Sequence, residues 1–151
     1  MDSSTTTKEA PLRTHRLPVK VYLEDTDAQG IVYHASYVRF IERGRTEFFD
    51  SIDASVAELA KSGFRLVVHE LKITYKRPAM LGDRLEVVTS ARLASPYRIT
   101  FVQEVVREGE SRPLCQAEVQ VACIDPSGRL CRIPEAVLGV LEQDAAPRQS
   151  T

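Results

Sequence analysis

The order of two hydrophobic periods constrains the fold of this chain more than any other feature. Residues 36–49 carry apolar and small side chains at a helical spacing, with one stripe made of Tyr37, Phe40, Ile41, Gly44 and Phe48. Four later segments alternate apolar and polar residues, which is the period of strands with one buried face: 64–76, 84–93, 97–107 and 114–124. Short turn sequences separate these segments, so we predict an antiparallel meander that follows a long helix.

Three further elements complete the predicted layout. Residues 18–24 alternate in the same way and predict a strand before the long helix, for which Ser36 is the expected N-cap. Ser55 with Glu58 is a capping pattern for a short second helix, and Pro134 begins a last helix over residues 135–141. Helices that are segregated from a run of strands indicate an α+β fold. We predict a five-stranded antiparallel sheet wrapped around the long helix.

The width of that sheet bears on the oligomeric state. Five short strands would cover the long apolar helix incompletely and would leave an unpaired edge. Continuing the sheet across a symmetric interface would cover both. We therefore expect a homodimer, or a tetramer built as a dimer of dimers.

Length and composition place the chain among globular proteins. A length of 151 residues fits one domain, and 43% hydrophobic with 27% charged residues separates the sequence from disordered and fibrous chains. We assign the domain to residues 18–142, with a disordered tail over 1–17 and a polar tail over 143–151. The net charge of -1 argues against a nucleic-acid partner, and no apolar run is long enough for stable insertion into a membrane. We expect a cytoplasmic protein.

The cysteines do not have the spacing of a metal site. Cys115, Cys123 and Cys131 are eight residues apart, no Cys-x-x-Cys pair occurs, and none of the three histidines lies near them. We expect reduced, mostly buried thiols without a metal or redox role. The sequence accordingly predicts neither a metal site nor a cofactor.

Residues 22–34 form the densest cluster of chemically active side chains. This run holds Glu24, Asp25, Asp27, Tyr33 and His34 at the passage from a strand to a helix. The free N–H groups and the positive dipole end of a helix start favour a bound anion or carbonyl oxygen. The same residues would also serve as turn and cap residues, and their spacing alone leaves both interpretations open.

The motif in this run resembles that of a known enzyme family. The pattern Asp-Thr-Asp-x-x-Gly-x-Val-Tyr-His over residues 25–34 is similar to that of hot-dog acyl-CoA thioesterases of the 4-hydroxybenzoyl-CoA thioesterase superfamily, closest to the branch associated with Tol–Pal operons. Further matches are Arg77-Pro78-Ala79, Gly82-Asp83 and the segment 99–104. The resemblance covers residues 18–134 and implies a hot-dog fold with active sites at a dimer interface.

The resemblance also implies roles for individual residues. Asp27 would be the catalytic carboxylate, acting as a nucleophile or as a general base for water. The helix-start N–H near His34 would stabilise charge on the thioester oxygen, while Tyr33 and the His34 side chain would lie close to the thioester. Asp25 is assigned to structure. Arg98 matches a region that contacts the phosphates of CoA, although a solvated surface arginine is an equal alternative.

The expected activity is hydrolysis of an acyl-CoA to a free acid and CoA, without a metal or organic cofactor. The acyl group is open between aliphatic and aromatic chains, and acyl-carrier protein is a possible thiol partner. Hot-dog folds also host hydratases and dehydratases that act on acyl thioesters, which gives one alternative. The other alternative is a non-catalytic module that binds acyl thioesters.

Overall fold

Five antiparallel strands form one sheet in the computed structural model of the chain, which describes residues 13–145. The strands are β1 (Thr14–Lys20), β2 (Arg65–Tyr75), β3 (Arg84–Ser95), β4 (Arg98–Arg107) and β5 (Pro113–Ile124). Their order across the sheet is β1-β3-β4-β5-β2, so β1 and β2 are the edges. The helices are α1 (His34–Ser51), α2 (Val56–Lys61) and α3 (Glu135–Ala145), and a 3-10 turn spans Leu23–Asp25. The predicted α+β fold with a five-stranded antiparallel sheet is confirmed.

The long helix α1 packs directly on the sheet. Phe40, Ile41 and Phe48 are fully buried, with 0% of each exposed, which confirms the predicted apolar stripe. A Cβ atom at Gly44 would lie 2.6 Å from Cγ1 of Val87, so only glycine permits this approach of α1 to β3. The absence of a side chain at this position therefore sets the distance between the helix and the sheet.

A buried glutamine ties α1 to the sheet beneath it. Gln103 of β4 is 1% exposed, and its Nε2 donates to the carbonyl of Ile41 at 2.7 Å and to Oγ1 of Thr89 at 3.0 Å. Its Oε1 accepts a hydrogen bond from Arg45 at 3.2 Å. Both polar atoms of the buried amide have hydrogen-bond partners, and these bonds offset the cost of removing the amide from water.

The first strand differs from the prediction at both ends. Thr14 and His15 continue the exposed and half-buried alternation of β1 and pair with β3, so the strand begins four residues before the predicted start. The predicted disordered tail over residues 1–17 is therefore wrong for residues 14–17. At its other end β1 stops at Lys20, and the 3-10 turn leaves Leu23 74% exposed rather than buried.

The helix ends also differ from the prediction. Helix α1 begins at His34 with Tyr33 at the N-cap, and the Ser36 hydroxyl instead donates to the carbonyl of Asp25 at 3.0 Å. Helix α3 continues to Ala145, four residues beyond its predicted end at residue 141 and into the segment assigned to the polar tail. The remainder of the two predicted tails, residues 1–12 and 146–151, lies outside the described residues.

Candidate active site

The 3-10 turn before α1 is held by a buried carboxylate. Asp25 is 4% exposed, and its Oδ2 accepts the backbone N–H of Tyr22 at 2.9 Å. Its carbonyl accepts the N–H of Tyr33 at 2.9 Å and the hydroxyl of Ser36 at 3.0 Å. Asp25 thus fixes the entry of the chain into α1, which agrees with its assignment to structure.

The second carboxylate, Asp27, lies in a different environment two residues later. Its backbone N–H donates to the carbonyl of Ile31 at 3.0 Å, and its carbonyl accepts the N–H of Gly30, whose φ of 77° closes the loop. Oδ1 of Asp27 accepts the N–H of Gln29 at 2.8 Å. No described residue donates a hydrogen bond to Oδ2, so this oxygen of a half-buried carboxylate is available to a ligand.

A cavity of about 450 Å³ joins this carboxylate to the start of α1. Asp27 and His34 both line it, as the sequence predicts, although they lie seven residues apart. The other lining residues come from the loop, from α1 and from the segment after β2: Gln29, Ile31, Val32, Tyr37, Tyr75, Lys76, Arg77 and Pro78. The cavity therefore combines one carboxylate with mostly apolar and aromatic walls.

The N-terminal end of α1 offers hydrogen-bond donors at this cavity. The helix begins at His34, the N-cap residue Tyr33 makes no side-chain cap, and the first turn contains no acidic residue. The backbone N–H groups at the start of a helix have no partner within the helix, and its dipole places partial positive charge there. A carbonyl oxygen that gains negative charge would be stabilised at this position.

Two tyrosines form the wall beside His34. The hydroxyl of Tyr75, at the end of β2, donates to the carbonyl of His34 at 2.9 Å. The ring centroid of Tyr75 lies 6.2 Å from that of His34 and 5.5 Å from that of Tyr37. Burial raises the pKa of both tyrosines, so both phenols stay protonated at neutral pH. Tyr75 therefore keeps the proton with which it holds the first turn of α1.

Neither tyrosine is predicted from the sequence to act at the site. Tyr37 belongs to the helical stripe and Tyr75 to a strand pattern, and neither period indicates that the end of β2 returns to the start of α1. The hydroxyl of Tyr37 accepts the backbone N–H of Ala79 at 3.0 Å. This bond fastens the segment after β2 against α1, which makes Tyr37 part of the support of the cavity.

Hydrogen bonds around Pro78 and Asp83 support the cavity, and both residues lie in segments that resemble the family pattern. Oδ2 of Asp83 accepts the N–H of Met80 at 2.8 Å and a guanidinium N–H of Arg107 at 3.1 Å. Arg107 also donates to the carbonyl of Pro78 at 3.2 Å. The carbonyl of Ala79 in turn accepts the N–H of Val32 at 2.9 Å. These bonds join the segment after β2 to the loop that carries Asp27.

Two predicted substrate-binding residues lie outside the cavity lining. Tyr33 is 45% exposed, and its ring centroid lies 4.5 Å from that of His34, so it flanks the cavity. Arg98 is exposed at the start of β4, whereas Val105, seven residues later, is aligned through β5 with Tyr75. Arg98 is therefore roughly 23 Å along the sheet from the cavity. One chain brings Asp27 and His34 together but not Arg98.

Residues 13–145 hold neither a metal-ligand cluster nor a membrane-spanning helix. This range contains no group of three or more His, Cys, Asp or Glu residues placed to hold a metal ion. Within the same range, no helix combines the length and the apolar character that are needed to cross a membrane.

The chain is similar to known thioesterases in both sequence and fold. A family model described as the thioesterase-like superfamily matches residues 21–141. Acyl-CoA thioester hydrolase YbgC of Escherichia coli O6:H1 is 40% identical over 129 residues, which are 85% of this chain and 96% of that protein. The chloroplastic acyl-acyl carrier protein thioesterase ATL2 of Arabidopsis thaliana is 32% identical over 123 residues, 82% of this chain and 65% of that protein.

Among solved structures, Slr0204, a 1,4-dihydroxy-2-naphthoyl-CoA thioesterase from Synechocystis, matches with a TM-score of 0.82 and 25% identity over 89% of this chain and 100% of that chain. The predicted resemblance to hot-dog acyl-CoA thioesterases is thereby confirmed, and the element order is that of the hot-dog fold. The chain belongs to the thioesterase-like superfamily and is a thioesterase.

Proposed function

We propose that this protein hydrolyses acyl-CoA thioesters and that Asp27 is its catalytic carboxylate. The observation that carries the proposal is the shared cavity, which is lined both by Asp27, whose Oδ2 accepts no hydrogen bond from a described residue, and by His34 at the uncapped start of α1. Similarity to the acyl-CoA thioester hydrolase YbgC supports CoA as the thiol of the substrate.

The thioester carbonyl binds with its oxygen at the start of α1. The backbone N–H at His34 stabilises the negative charge that develops on this oxygen when the carbonyl carbon is attacked. The His34 side chain donates to the thioester sulfur or holds the water, and Tyr33 lies beside the acyl-thioester junction. Because a backbone N–H does not depend on the side chain, part of this stabilisation survives substitution of His34.

Asp27 has two chemically complete routes. As a base, its carboxylate takes a proton from water while the hydroxide adds to the carbonyl carbon, and the tetrahedral intermediate then expels the CoA thiolate, which takes the proton. As a nucleophile, Oδ2 attacks the carbonyl carbon and expels the thiolate, forming a mixed anhydride that water hydrolyses. The free Oδ2 and the held Oδ1 suit either route.

Oxygen labelling and hydroxylamine trapping test whether Asp27 forms a covalent intermediate. In a single turnover in H₂¹⁸O with enzyme in excess, the base route places one ¹⁸O in the released acid. A nucleophilic route in which water attacks the acyl carbon also labels the acid, whereas attack at the aspartyl carbon leaves ¹⁸O in the peptide that contains Asp27. Hydroxylamine added during turnover provides a second readout, because its attack at the aspartyl carbon of a mixed anhydride converts Asp27 to a hydroxamate and releases the carboxylic acid, a product that the base route does not form.

The acyl group is proposed only as a class. The walls of the cavity include Ile31, Val32 and Tyr37, so the acyl part of the substrate is apolar, either aliphatic or aromatic. Similarity to the acyl-acyl carrier protein thioesterase ATL2 supports acyl-carrier protein as a second thiol carrier to be tested. The assay below determines which length of acyl chain the enzyme accepts.

The test is a panel of acyl-CoAs that covers short aliphatic, long aliphatic and aromatic acyl groups. We expect the purified protein to release free CoA thiol and the matching carboxylic acid in equal amounts from at least one class. Conversion of an enoyl-CoA to a hydroxyacyl-CoA without thiol release would favour a hydratase. Binding of acyl-CoA without any turnover would favour a non-catalytic binding module, and either result would overturn the proposal.

A further inference from the structure

Two of the three cysteines meet across the hairpin that connects β5 to α3. Sγ of Cys131 lies 3.2 Å from Sγ of Cys123, and the backbone N–H of Cys131 donates to the carbonyl of Cys123 at 2.9 Å. The third thiol, that of Cys115, is buried elsewhere on β5. The regular spacing of eight in the sequence conceals this pairing, because only the turn at residues 125–128 returns the chain onto itself.

The backbone pairing at this hairpin places the two cysteines at a Cα separation that a disulfide can span. Ile124 and Leu130 form an antiparallel bridge, and the N–H of Asp125 donates to the carbonyl of Arg129 at 2.9 Å. Cys123 and Cys131 are the next opposite pair, and such residues have Cα atoms about 5.5 Å apart in an antiparallel ladder. This separation falls within the range of about 4.4–6.8 Å that disulfides span. The two sulfurs are 3.2 Å apart, so they need to approach by about 1.1 Å to reach the S–S bond length of about 2.05 Å.

The two thiols differ in accessibility, which gives them different roles in oxidation. Cys123 is fully buried, and burial together with the hydrogen bond to Cys131 raises its pKa to about 12. Cys131 is only half-buried, so it is the more exposed residue of the pair. Cys115 has a pKa raised to about 12 by burial and has no sulfur partner among the described residues. An oxidant would meet Cys131 first and Cys123 second.

We propose that Cys123 and Cys131 are a modification site, at which a peroxide converts the two thiols to an intramolecular disulfide. The sulfur of Cys131 attacks the peroxide O–O bond and becomes a sulfenic acid, with release of water from hydrogen peroxide. The sulfur of Cys123 then attacks the sulfenic sulfur, forms the S–S bond and displaces a second water. Two thiols are oxidised by two electrons, and one peroxide is reduced to two waters.

The disulfide fastens the start of the final segment to the sheet. Ile133, two residues after Cys131, is buried and donates its N–H to the carbonyl of Pro96, and α3 follows with Val137 and Leu138 in the core. Closing this loop covalently lowers the entropy of the unfolded chain. The hairpin contributes no residue to the cavity around Asp27. The modification therefore stabilises the fold and leaves the thioesterase kinetics unchanged.

The experiment treats the folded, reduced protein with hydrogen peroxide and then counts thiols after denaturation. Of the three cysteine thiols, one is expected to remain, and the intact mass should fall by two hydrogen atoms. Trypsin cuts after Arg129 and Arg132, so Cys131 should be found in peptide 130–132 joined to the peptide that contains Cys123. The melting temperature should rise by about 5–10 °C and return after reduction.

Two variants make the assignment specific. Cys131→Ser, at a half-buried position, should retain both remaining thiols under the same treatment. Cys115→Ala should still form the bond, and it removes the second cysteine from the linked tryptic peptide. Added oxygen on Cys131 without a mass loss, a bond to Cys115, or a link between two chains would each overturn the proposal. Because the wild-type protein carries the main readout, a variant that fails to fold leaves the test intact.

Discussion

Asp25 and Asp27 are two residues apart, yet their environments assign them to different tasks. The carboxylate of Asp25 is buried and accepts the backbone N–H of Tyr22, whereas Asp27 is half-buried and its Oδ2 receives no hydrogen bond from residues 13–145. A carboxylate in a turn and a carboxylate in a site look the same in sequence, so residue types alone do not separate the two, although the prediction from the sequence assigns Asp25 to structure and Asp27 to catalysis. The hydrogen bonds and the cavity support the choice of Asp27.

The His34 side chain is expected to matter less than Asp27. In His34→Ala the backbone N–H at the start of α1 remains, and the hydroxyl of Tyr75 still donates to the carbonyl at position 34. We expect kcat for acyl-CoA to fall by about 10-fold, below the loss expected at Asp27. Steady-state kinetics of both variants in one preparation checks the ranking. A larger loss at His34 would make the imidazole the principal catalytic group.

Arg98 stays a predicted contact to the nucleotide phosphates of CoA, and it is testable apart from the chemistry. Arg98→Ala should raise KM for acyl-CoA by about 3–10-fold and leave kcat unchanged, because a remote charge contact is made equally in ground and transition states. The effect should shrink as salt rises.

The matched control for Arg98 is Arg92→Ala, since Arg92 is also exposed and lies on the neighbouring strand β3. It should leave KM unchanged. A normal KM for Arg98→Ala at low salt would return Arg98 to the surface charges.

The elements differ in how far the sequence predicted them. Strands β2 to β5 begin and end within about two residues of the predicted segments, because alternating side chains and turn residues bound each strand on both sides. The predicted start of β1 is four residues late because Thr14, His15 and Arg16 are polar, and their alternation is visible only once β3 pairs with them. The approach of Tyr75 to His34 was likewise hidden, since it depends on tertiary packing.

The contact between α1 and the sheet depends on Gly44. In Gly44→Ala the new Cβ would lie 2.6 Å from Cγ1 of Val87 and 2.8 Å from Oγ1 of Thr89, so the helix must shift away from β3. We expect the free energy of unfolding to fall by about 1–3 kcal/mol, the usual cost of overpacking a core. Chemical denaturation measures this change.

Gly139 offers the matched control on another helix. A Cβ there meets no atom within 4 Å, and alanine has the higher helix propensity, so Gly139→Ala should be neutral or slightly stabilising. Equal stability of the Gly44 variant and the wild-type protein would contradict the packing described for α1.

At the scale of the whole molecule, one edge of the sheet is apolar and open. Within the part of the chain that the structure describes, β2 pairs only with β5, and exposed apolar side chains lie along it: Val67 at 37%, Val68 at 51%, Leu71 at 37% and Tyr75 at 43%. Long apolar edges are uncommon in monomers because they invite pairing with another chain. The expected continuation of the sheet across a dimer therefore stays a prediction, and β2 is the edge at which it should occur.

We expect light scattering at low micromolar concentration to give the mass of a dimer or a tetramer. Val68→Asp should shift the mass toward the monomer, because it places a charge on the apolar edge. Leu130→Asp is the control, since Leu130 is 54% exposed and lies in the hairpin after β5. A monomeric wild-type protein would contradict the predicted assembly.

The most direct test of the proposed function compares Asp27→Asn with Asp50→Asn. Asparagine keeps the shape and can still accept the N–H of Gln29, but it supplies neither a base nor an anionic nucleophile. Asp50 is exposed near the end of α1 and serves as the matched control. Circular dichroism checks that both variants are folded. The kcat for acyl-CoA hydrolysis should then fall by at least about 10²-fold in Asp27→Asn and stay at the wild-type value in Asp50→Asn. Near-normal turnover in Asp27→Asn would contradict the assignment of catalysis to this carboxylate.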